Sequence, residues 1–117
     1  MARTDFIAKN PNTVQVVVAS VLEAQQYMWT NTTDATAKYA DFSQKKPDDA
    51  KVAVVGFLAY GSRTMQFTED ALILPRDVLA TVNPAVANVK IADSYDLSFL
   101  KKLQTNGFYA KVGAPTP

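Results

Sequence analysis

The stretch from Asn10 to Trp29, NPNTVQVVVASVLEAQQYMW, constrains everything around it. Asn10 is a good helix N-cap, and Pro11 suits the first helical position, where no N–H is needed. Val14, Val17, Val18, Val21, Ala24, Gln25 and Met28 follow at helical spacing on one face. Val16, Leu22 and Tyr27 widen that stripe, while Gln15, Glu23 and Gln26 lie off its centre. Val16-Val17-Val18 alone would suit a strand, but the length and the Asn-Pro start favour a helix. So broad a stripe predicts a largely buried helix. A chain of 117 residues has one modest core in which to bury it. Val14, Val17, Val18, Val21 and Met28 are therefore the candidate interface residues, to be covered by the chain's other helices or by a protein partner.

The remaining segments read as shorter helices. Thr32 or Thr33 is expected to cap a second helix, with Asp34 in its first turn and Ala35, Tyr39 and Phe42 on one side. Pro47-Asp48-Asp49 opens a third. The apolar run Ala50–Tyr60 could also be a buried strand, but its acidic, proline-led start favours helix. Arg63 to Phe67 alternates enough to be extended. Thr68 with Glu69-Asp70 predicts another start, which Pro75 interrupts, with Val78, Leu79 and Val82 forming a short apolar face. Asp96 is expected to cap the last helix, whose buried side is Leu97, Leu100 and Leu103 with Phe99. Asn106-Gly107 stops it. The expected class is mainly α: four to five helices with at most one short extended segment. Residues 1–9 read as a lead-in, 10–106 as a single helical domain and 107–117 as a flexible tail.

Composition excludes much chemistry. There is no His and no Cys, which removes Ser-His-Asp and Cys-His catalysis, disulfides and most transition-metal sites. The net charge of +1, with scattered basic residues, offers no footprint for nucleic acid or anionic lipid. No apolar run is long enough to insert in a membrane. The start, Met1-Ala2-Arg3-Thr4-Asp5, is not a signal peptide, so the chain as written is expected to stay in the cytoplasm.

Few residues invite a site. Asp48-Asp49 and Glu69-Asp70 could do acid–base work or hold a hard cation, but both stand where a helix begins and complement its dipole. Trp29, Tyr27, Tyr39, Phe42, Tyr60 and Phe67 could wall a ligand, though aromatics at this spacing more often form core. Arg63, beside Gly61-Ser62, could hold an anion, a weak signal for one loop arginine. The four glycines are isolated and make no nucleotide loop. No cofactor is implied, and the chain is expected not to be an enzyme.

The order of the segments carries a resemblance. DFIAKNPNTVQVVVASVLEAQQYM, then DATAKYADF, then KKPDDAKVAVVGFLAY, resembles a succession in substrate-binding proteins of ABC transporters of the nitrate/sulfonate/taurine type, relatives of the thiamine-precursor-synthesis proteins. DVLATVNPAVANVKIADSYDLSFLKKL is similar to that family's closing phrase, with Pro84, Lys90-Ile91, Tyr95 and Phe99 in its places. The resemblance spans roughly Asp5 to Leu103 and only the C-terminal, mainly helical part of those two-lobed proteins. It implies solute capture in the periplasm for an ABC permease, with an N-terminal lobe as partner. The family's ligand-contacting loops lie mostly outside the matched part, so no ligand-binding residue carries over.

Overall fold

The computed structural model describes residues 2–116, and the chain is mainly helical. The helices are α1 (Thr4–Lys9), α2 (Pro11–Thr30), α3 (Thr32–Ser43), α4 (Pro47–Tyr60), α5 (Asp70–Val82), α6 (Ser98–Thr105) and α7 (Phe108–Lys111). Two 3₁₀ turns, Pro84–Asn88 and Ile91–Ser94, join α5 to α6. No strand occurs among the described residues, and Arg63–Phe67 is an irregular loop. No helix is long and apolar enough to cross a membrane.

α2 is the spine, about 30 Å long at 1.5 Å per residue. α3 and α4 pack against each other and against one end of it, while α6, carrying α7, packs along another part. Leu22 is wholly buried in a cluster with Leu103, Tyr109 and Ala114, flanked by Val18, Ala19, Met65, Phe108 and Val112. At the other end Ala35, Ala50 and Val54 are buried, and Trp29 meets Phe57 at 5.5 Å between ring centres. Small side chains at positions 35 and 50 let α3 and α4 come close.

Both ends of the chain depart from expectation. The expected lead-in contains α1, because Asp5 suits a first turn and the Asn10 side chain donates to the Phe6 carbonyl at 3.1 Å. Asn10 thus closes α1 instead of capping α2 with its side chain. The expected flexible tail is folded back: Gly107 takes φ +80°, the chain turns, and α7 drives Tyr109 and Ala114 into the core. Thr32 likewise donates back to the Met28 carbonyl at 3.0 Å, leaving Asn31 as the residue between α2 and α3.

α5 runs unbroken through Pro75, giving up the bond its N–H would have made one turn back. It buries no residue, and its main contact is with the Pro84–Asn88 turn. Phe42, at the far end of α3, is 89% exposed instead of sharing the buried side with Ala35.

Two backbone positions generate predictions. Gln44 ends α3 at φ +52°, where a side chain is strained and glycine is not. Gln44→Gly should therefore stabilise the fold by about 0.5–1 kcal/mol despite the added freedom of the unfolded chain, read as a higher melting temperature. A Cβ at Gly61 would lie 2.6 Å from the Phe57 carbonyl oxygen. Gly61→Ala should destabilise by about 2 kcal/mol in urea unfolding.

Candidate functional site

The densest polar arrangement joins α2 to the loop after α4. Val18, Leu22 and Gln26 stand at i, i+4 and i+8 on one face of α2. Gln26 is the buried polar residue of the core, only 2% exposed. Its Nε2 donates to the Arg63 carbonyl at 2.6 Å, and Arg63 Nη2 donates back to Gln26 Oε1 at 3.3 Å. The Arg63 guanidinium lies 5.6 Å from the centre of the Trp29 ring. Arg63, an anion-holding candidate by sequence, is thus already engaged by an amide and an indole face.

The same loop is fastened twice more. The Tyr109 hydroxyl donates to the Thr64 carbonyl at 2.7 Å, and Phe67 meets Tyr95 edge-on at 5.1 Å. Met65 between them adopts φ +57°, a conformation costing a non-glycine residue about 1 kcal/mol, and its side chain packs on the Leu22 cluster. Gln15, a turn and a half before Ala19 and Leu22, donates to the Phe99 carbonyl at 3.1 Å and fixes the start of α6. The two glutamines expected off the stripe's centre are therefore its tethers to irregular chain. Their polarity misled, since the rotation of Gln26 relative to Val18 and Leu22 already placed it inside.

The candidate interface residues divide. Val14, Val18 and Met28 are half-buried, whereas Val17 and Val21 are exposed at 56% and 42%. The apolar face of α2 is therefore centred about one position away from the expected line, and α6 and α7 cover its middle. Val14 and Val18 also line an open groove of about 370 Å³ between α1, α2 and the Asp93–Asp96 segment.

The six aromatics form no common wall. Trp29 is with Phe57, Tyr39 lines a groove with Met28 and Val54, Phe67 is with Tyr95, and Phe42 and Tyr60 point into solvent. Tyr27 lies outside, where its hydroxyl and the Lys38 ammonium both donate to the Asp34 carboxylate. Those bonds hold Asp34 below the ordinary carboxylate value and Lys38 above the ordinary amine value. It is an exposed i,i+4 pair, of the kind that caps a helix surface. Asp48-Asp49 and Glu69-Asp70 stand exposed at the starts of α4 and α5, apart from one another. Among the described residues no three acidic side chains gather as a metal site would require.

Set against family models, curated proteins and solved structures, the chain matches none.

Burial pushes the Tyr109 phenol above its ordinary value of 10.0, and a hydrogen bond with Gln66 partly opposes this. A raised phenol favours the folded state while neutral. That contribution is complete below the unfolded value, about pH 10, and is lost as pH rises through the folded one. Tyr109→Phe should flatten this alkaline loss of stability. At neutral pH it should cost about 1 kcal/mol, because the Thr64 carbonyl loses its donor. Urea unfolding at neutral pH and above pH 10 checks both signs.

Proposed function

We propose that this chain is the helical packing part of a solute-binding protein of the nitrate/sulfonate/taurine-transport type. It would work with an ABC importer, without catalysis, in the periplasm. The solute would be held by an N-terminal lobe and the cleft it forms, and these helices would brace that lobe. One observation carries the reading: the chain exposes 8,496 Å², whereas a compact monomer of its mass exposes about 6,300 Å². Its radius of gyration is 16.7 Å, against about 13 Å for a compact chain of about this length. Much of the surplus is apolar, including Val17 on α2, Val52 and Val55 on α4, and Leu74 on α5. A helical layer with apolar faces outward is what remains of a larger fold when its neighbour is not counted. The ordered resemblance of the segments supports the same neighbour.

The rival is a stand-alone helical subunit that docks a protein partner through α2. Its support is the edge formed by Val16, Val17 and Val21 with Phe6 of α1, all at least 42% exposed.

Mass spectrometry of the endogenous polypeptide separates the two. The solute-binding reading expects a mass well above 12.8 kDa, with the longer protein giving heat on titration with nitrate, an alkanesulfonate, taurine or a pyrimidine precursor. A native mass of 12.8 kDa overturns it in favour of the rival, and a longer protein silent to all four solutes overturns the assigned ligand class.

A further inference from the structure

We infer that the outward face of α5 seats a second copy of this chain. Leu74, Val78 and Val82 stand at i, i+4 and i+8 and are 71%, 58% and 81% exposed. Ala71 and Pro75 fall inside the same stripe, and Leu79, 55% exposed, flanks it. No charged residue lies within it. Asp70 and Asp77 stand along one border, and Asp77 is already paired with Arg76 of its own chain at 2.8 Å.

Three observations select a second copy. First, α5 is not held by its own chain on this side. It is a 13-residue helix with an internal proline and no buried residue, and such a helix is marginal in water without tertiary packing. Second, the area fits. The surplus over a compact monomer is about 2,200 Å² per chain, whereas a standard interface takes about 800 Å² from each partner and obligate homodimers about 1,000–2,500 Å². Third, the surface is self-complementary. A two-fold pairing brings the same patch against itself. An uncharged stripe on a chain of net charge +1 meets its copy without repulsion. Val78 lies midway along the stripe, so an antiparallel pair of α5 helices places the two Val78 side chains at the axis.

This inference does not depend on the solute-binding reading, which the native mass decides separately. Sedimentation equilibrium of the full 117-residue chain, over a range of micromolar concentrations, tests it. The expected mass is twice 12.8 kDa. Val78→Asp should weaken dimerisation about 100-fold or more by burying an unpaired charge, with the helical circular dichroism kept. Val52→Asp, on the exposed face of α4, should leave the dimer unchanged. A monomer at every concentration overturns the inference, as does a dimer that survives Val78→Asp. Should Val78→Asp unfold the chain, Val78→Cys decides, because it would be the sole cysteine. Rapid disulfide-linked dimer under mild oxidation supports pairing across α5, and failure to cross-link while wild type is dimeric overturns it.

Discussion

The row Val18–Leu22–Gln26 on α2 holds the rest together. α3 and α4 reach the C-terminal helices mainly through α2, and α6 and α7 reach the N-terminal half the same way. Leu22 supplies the apolar centre, in contact with residues drawn from α6, α7 and the segment after it. Gln26 supplies direction. A leucine there could pack against the loop in several registers, whereas an amide that both donates to and accepts from Arg63 admits one. A buried amide without those partners would cost about 1–3 kcal/mol. The loop and the helix therefore order each other, and the loop's order in turn presents the Thr64 carbonyl to Tyr109.

That chain of dependence explains which parts of the fold were legible in the sequence. The long helices were, because Pro11, Pro47 and Gly107 mark boundaries through local backbone chemistry, and the α6 periodicity put Leu100 and Leu103 inside. The short end helices were not. α1 is closed by a bond from Asn10, a residue that also reads as a cap for the following helix. α7 exists because the core has a place for Tyr109, and no local pattern in a segment ending in glycine and prolines announces a place so far away in sequence. The expected stripe on α2 was displaced for a related reason. Hydrophobicity alone weighted the valines, but the buried centre follows what the rest of the chain can cover, and glutamines with carbonyl partners compete successfully for it. The candidate site fared least well: Arg63 was visible as a lone cation, while its partners, 37 residues earlier, were not.

The energetic consequence is an uneven molecule. Few side chains are fully buried, and they are concentrated along α2, whereas α5 and the outer face of α4 contribute apolar surface almost entirely to solvent. Hydrophobic burial scales with the area removed from water at about 25 cal/mol per Å². The side chains of α5 thus return little of the entropy spent in ordering them. Regions of this kind open locally long before the core does. In the chain taken by itself, the part from Asp70 to Asn88 is the first to loosen, and the Leu22–Leu103–Tyr109 cluster is the last.

This unevenness bears on how function is distributed. A ligand site needs rigid walls and converging polar groups. The rigid part of this chain spends its polar groups internally: Gln26 on Arg63, Tyr109 on Thr64 and Gln15 on Phe99. The part that faces outward with unused surface is apolar, and it belongs to the helix with least internal support. Apolar surface on a weakly held helix recognises other polypeptide better than it recognises a small solute, because covering it stabilises the helix and buries the surface in the same event. Assembly and order of α5 are therefore one equilibrium, and whatever covers the Leu74–Val82 stripe also completes the fold.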